Sequence, residues 1–269
     1  MIFAPLSWPS NPGFAMTTRI FLAIGWKYMS VQLRVIGSSP AWPNPGSAQS
    51  GYLVEGPGKL LLDCGPGVLG RLRANGDVAV DAIAVTHFHL DHWGDLVPWA
   101  WLVAYGQVPP GRTEVWLPPG GVRQLETFAG LWGNDSMFER AFELREYEPG
   151  TAFTAAGFEV EARRVRHYDL DAYGFRVREP GGPLLAYSGD TAPGEEIAAL
   201  AAGADLFLCE ATLADANGEP ALRGHLTAEE ALAAADGPVL LTHRPAELPA
   251  PDGTPLARDG LVVEVVRAG

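Results

Sequence analysis

Between Thr86 and Asp95 the chain reads THFHLDHWGD, and four potential metal ligands, His87, His89, Asp91 and His92, fall within six residues. The residues just before them, IAVT, form a short apolar run that reads as a strand. Side chains two apart on extended backbone point the same way, so His87 and His89 can grip one ion. If the chain then turns, Asp91 and His92 face a second. Imidazole and carboxylate together suit zinc, and also manganese or iron. A solvated or core-satisfied ring explains one isolated histidine; it does not explain four donors packed this closely.

The sequence holds six histidines. Of the other three, His167 ends the β-like run VRHYD, His225 opens HLTAEEA, and His243 ends VLLTHRP. Asp190 closes AYSGDT, again at a strand end before a turn. Ligands delivered from strand ends onto one edge of a sandwich can converge, whereas residues scattered over faces cannot. Asp63 and Glu210 also end apolar runs, LLLD and LFLCE. There they can accept the second ring N–H of a ligand histidine, or serve as ordinary caps.

These donors need strands to carry them. Strands are read at 31–37, 52–55, 59–63, 81–86, 113–117, 142–147, 158–165, 173–178, 183–188, 206–210, 239–242 and 261–266. Helices are read at 66–75, 95–105, 122–131, 195–202 and 227–235. Strands come first, then strand and helix alternate, in two halves. That order fits an α/β protein with two sheets face to face and helices outside, a four-layer αβ/βα sandwich.

Hydrophobic residues make up 47% of the 269, enough for a sizeable core. Residues 1–28 are read as an extension ahead of a single domain at 29–269. The formal charge of −13 disfavours polyanion partners, and no basic stripe offsets it. Cys64 and Cys209 sit in apolar runs and read as buried thiols, consistent with a reducing cytoplasm. No run is apolar enough to span a bilayer, so no membrane role is expected.

The HxHxDH motif, with later ligands in order, resembles the metallo-β-lactamase superfamily over nearly the whole chain from about Val31. The series SGDT, HLTAEEA and THRP is similar to the ribonuclease Z and phosphodiesterase branch. The resemblance implies that His87, His89 and His167 hold a first zinc ion, Asp91, His92 and His243 a second, and that Asp190 bridges both. Manganese or iron are alternatives. A bridging hydroxide would attack phosphorus or a carbonyl, with Asp91 holding or deprotonating that water. At the position of His225 the branch places a histidine near the leaving group, so His225 is expected to contact substrate or act as an acid; the alternative is a cap on the following helix or a support to the metal ligands there. Relatives in the branch are often dimers, which makes a homodimer an expectation too.

Two departures bear on substrate. The branch's long tRNA-gripping arm lies between the counterparts of His167 and Asp190, where this chain has room only for a hairpin. A glutamate that pairs with the counterpart of His225 is replaced by Tyr187, which could only hydrogen-bond it. Both point away from tRNA and toward a small-molecule substrate, a phosphodiester first. A hydrolase of carboxylic esters, lactones or thioesters is the alternative, and a di-iron redox or non-catalytic metal protein a third. Trp93, Trp99, Trp101, Tyr105, Trp116, Trp132 and Phe138 would line a pocket or lid, or fill core and dimer contact.

Overall fold

A computed structural model describes residues 30–107, 111–216, 222–249 and 251–267. The extension read at 1–28 lies outside the described residues. The first half carries β1 (Ser30–Gly37), β2 (Gly51–Glu55), β3 (Lys59–Leu62), α1 (Val68–Ala74), β4 (Ala82–Ala84), α2 (Leu90–Trp93) and α3 (Leu96–Tyr105). It continues through β5 (Thr113–Leu117), α4 (Gly121–Gly130), α5 (Met137–Ala141) and β6 (Phe142–Glu146). The second half holds β7 (Ala152–Ala155), β8 (Phe158–His167), β9 (Leu170–Arg178), β10 (Leu184–Tyr187) and α6 (Glu195–Ala201). Then come β11 (Leu206–Glu210), α7 (Ala228–Ala233), β12 (Val239–Thr242) and β13 (Val262–Val266).

One sheet has seven strands in the order β13-β1-β2-β3-β4-β5-β6, the other six in the order β12-β11-β10-β9-β8-β7. The last strand therefore returns to pair antiparallel with β1 at the edge of the first sheet. The β3-β4-β5-β6 ladder is parallel, as is β10-β11-β12.

Strand alternation sorts the side chains into layers. Tyr52, Val54, Leu60, Leu62, Ala82 and Ala84 face inward and meet Phe158, Val160, Phe175, Val177, Tyr187, Leu208 and Leu240 of the second sheet. Leu53, Leu61, Ile83 and Val115 face the other way, onto Leu72, Leu96, Trp99, Leu125 and Phe138 of the covering helices. Phe207, Cys209 and Leu241 pack likewise against Ile197, Leu200 and Ala231. The expected four-layer sandwich is thus the architecture.

Three elements went unread: α2, α5 and β7. Each is five residues or shorter, too brief for a periodic pattern, and each is set by what it packs on. The aromatic-rich region divides. Trp93, Trp99 and Phe138 are buried under the helices, Trp116 stacks on Phe153, and Trp101, Tyr105 and Trp132 are exposed. No described helix is long and apolar enough to cross a membrane.

Candidate metal centre

Seven side chains from four chain segments meet at one rim. His87 lies just past β4, and His89 is the N-cap of α2, which presents Asp91 and His92 from a single turn. His167 ends β8, Asp190 follows β10, and His243 follows β12. His87, His89, His167 and Asp190 form one group whose ligand atoms lie within 4.8 Å of one another. Asp91, His92, Asp190 and His243 form a second by the same measure. Asp190 belongs to both groups. Its Oδ2 lies 3.3 Å from His92 Nε2 and 3.8 Å from His87 Nε2, and its Oδ1 3.6 Å from His243 Nε2.

The outer nitrogens of the rings are pinned, and this sets which nitrogen faces the centre. His92 Nδ1 donates to Asp63 Oδ2 at 2.7 Å, and His167 Nδ1 to the Gly224 carbonyl at 2.7 Å. The Thr86 hydroxyl spends its proton on Asp63, so its oxygen accepts from His87 Nδ1 at 3.1 Å. Thr212 likewise donates to Glu210 Oε2 and accepts from His243 Nδ1 at 3.0 Å. In each ring this leaves Nε2 as the lone-pair nitrogen aimed inward. His89 is turned the other way, its Nδ1 2.9 Å from His167 Nε2.

Among the described residues, His87 Nε2, His92 Nε2 and Asp190 Oδ1 are buried with no hydrogen-bond partner. A buried unsatisfied polar atom costs about 1–3 kcal/mol. Three in one cluster, all inward-facing, fit divalent cations supplying the missing partner. The charges agree. Burial opposes the ionised form of Asp190, yet His243 and His92 outweigh it and hold this carboxyl well below the usual range. Burial likewise disfavours Asp91⁻, and His92 and His243 reverse that. Burial keeps His87, His89 and His167 neutral, the form that ligates. His92 is the exception: against the burial penalty, Asp190, Asp91 and Asp63 hold it well above its ordinary value. A cation bound there would take the place of that proton.

Asp63 and Glu210, read as acceptors or as ordinary caps, are acceptors buried at the site. Asp63 takes Thr86, His92 and, across the sandwich, the Tyr187 hydroxyl at 2.7 Å. Glu210 accepts from Thr191 N, Thr212 N and His225 Nδ1, the last at 2.9 Å. This corrects the expectation that replacement by Tyr187 removes the carboxylate from His225. Tyr187 serves Asp63 instead, and the carboxylate on His225 arrives from the end of β11. Parallel β10 and β11 set Tyr187 beside Leu208, two residues before Glu210, a juxtaposition invisible in linear spacing. Nor does His225 cap α7, since Thr227 does so through a capping box with Glu230.

Backbone strain marks the same place. Only four described non-glycine residues have positive φ, and three are Asp63 (58°), Tyr168 (51°) and His243 (50°). Such conformations cost about 1–3 kcal/mol each and persist where surrounding structure fixes them.

Fold and rim together define a metallo-β-lactamase-type scaffold, two sheets delivering two groups of candidate ligands to one edge. Residues 59–238 match the family model described as Beta-lactamase superfamily domain, and the chain belongs to that superfamily. It is 32% identical over 225 residues to "Uncharacterized protein Rv1339" of Mycobacterium tuberculosis, covering 81% of this chain and 82% of that one. It is 29% identical over 195 residues to a ribonuclease Z of Mycobacterium bovis, covering 66% of this chain and 69% of the other. The crystal structure of the metallo-β-lactamase fold protein YhfI from Bacillus subtilis superposes with a TM-score of 0.72 at 24% identity, over 87% of this chain and 99% of that one.

Proposed function

We propose that the protein is a hydrolase of small phosphodiesters that binds two divalent cations, zinc foremost. His87, His89 and His167 would hold one, Asp91, His92 and His243 the other, with Asp190 shared. The reading rests above all on the three partnerless buried atoms between two interlocking ligand groups. When bound, the cations supply Lewis acidity and acidify water toward neutrality.

The chain's own groups do the rest. Asp91, whose Oδ2 lies 3.1 Å from His243 Nε2, would orient the attacking water and accept its proton. His225 donates to the departing oxygen. Glu210 holds the Nδ1 proton of that ring, which fixes the tautomer and stabilises the imidazolium. The ring centroid of His225 lies 5.0 Å from His167 and 5.9 Å from His243, within reach of a substrate on the ions.

The small substrate is supported by the span between His167 and Asp190, filled by β9 and β10 with no long arm, and by the net charge of −13. The ribonuclease Z likeness supports a phosphodiester over a carbonyl substrate. Turnover of bis(p-nitrophenyl) phosphate should exceed that of p-nitrophenyl esters and homoserine lactones, with zinc, manganese and iron supplied in turn. Turnover of the carbonyl substrates alone would reject the phosphodiester reading.

A further inference from the structure

We infer that Tyr168 is a positioning residue for His225, holding the imidazole at the leaving group through the strap formed by residues 223–225. This rests on the acid role proposed above and adds the part of the chain that aims it.

Tyr168 directly follows the candidate ligand His167 and takes φ 51°. For a bulky aromatic residue that is a rare conformation. It turns the backbone so that Tyr168 N donates to the Arg223 carbonyl at 3.2 Å while His167 Nδ1 reaches the Gly224 carbonyl. The ring covers Gly224 so closely that a Cβ there would overlap Cε2, Cζ and Cδ2. It then meets the His225 ring edge to face, with centroids 5.8 Å apart and planes at 84°. On the far side the strap is fastened to α7. Arg223 forms a two-pronged pair with Glu230, 2.8 Å on each prong, and also donates to the His225 carbonyl at 3.0 Å. Glu210 holds the His225 ring at Nδ1, and the Tyr168 ring packs against the same imidazole. Ring carbons of Tyr168 contact Gly224, and the ring itself meets His225.

The test uses the full-length metal-loaded protein and aryl phosphodiesters whose leaving phenols span a wide pKa range. Tyr168→Ala should lower kcat about 10-fold or more for poor leaving groups and little for p-nitrophenolate, with KM and bound metal unchanged. Tyr168→Phe should keep the parent profile. In a His225→Ala background, Tyr168→Ala should have no further effect, as expected of two residues acting as one unit. Equal slowing across the series, loss of metal, or additive effects in the double variant would each overturn the inference. If Tyr168→Ala does not fold, Tyr168→Leu replaces it with the same expected profile. His225→Ala alone separates the two ideas. If it slows all leaving groups equally, the acid reading itself fails. If it is selective and Tyr168→Ala is not, only the positioning role fails.

Discussion

At the scale of single residues, Asp190 does the most. It is the one carboxylate common to both ligand groups, and five imidazoles, of His87, His92, His167, His225 and His243, lie within 4.0 Å of its oxygens. Asp190→Ala should therefore cost more than one ligand's share. We expect at most one zinc per chain by elemental analysis, with diester turnover down at least 100-fold. Two ions retained would show that the bridge is not needed. That these seven side chains gather in one cluster was legible in the sequence because HxHxDH concentrates four donors and the other three stand at strand ends. Where reading failed was in partnership. In the sequence Tyr187 is set against His225 and Glu210 against a ligand histidine, and only the pairing of parallel strands decides which one reaches His225.

At the scale of elements, short pieces are held by tight backbone contacts rather than by their own propensity. The one-turn α2, which presents Asp91 and His92, lies on the loop after β3: Cys64 N donates to the His92 carbonyl at 2.7 Å. A Cβ on Gly65 would collide with the carbonyl of Asp91. Gly65→Ala should thus weaken metal affinity about 10-fold or more while changing no ligand, measurable by competition with a chromogenic chelator. Unaltered affinity would show that α2 tolerates the shift. Such dependence explains why α2 left no trace in the hydrophobic pattern, while the long β8 and β9 did. The α7 cap gives a pH test. Arg223, with the cap's own hydrogen bonds, depresses the Glu230 carboxyl from 4.5 to about 2. A carboxylate depressed on folding stabilises above its unfolded value, and that stability is lost as pH falls from about 4.5 through 2. Allowing for its partial exposure, Glu230→Gln should cost about 1 kcal/mol near neutral pH. It should also flatten the pH dependence of chemical denaturation within that window. An unchanged slope would remove the pair from the stability balance.

At the scale of the whole molecule, the layered order of strands and helices was legible because alternation and turn residues survive in linear form. The position of β13 was not, since its pairing with β1 joins segments from opposite ends of the domain. Cation binding should stabilise this assembly by mass action. Free zinc at 1,000 times its Kd contributes about 4 kcal/mol per site. For a domain of this size that is about 10 °C in Tm. Chelation should lower the calorimetric midpoint by that order and restoration of zinc should reverse it; a midpoint indifferent to chelator would argue against resident ions.

His87, His89, Asp91 and His92 hang from the seven-stranded sheet, and His167, Asp190 and His243 from the six-stranded one. A cation pair bound in that position would work as a rivet through two plates, clamping them at one end only. Stripped of it, the plates should loosen from the riveted end inward. Amide exchange would then quicken first around residues 86–92 and 188–191, while the opposite ends of the same strands keep their protection.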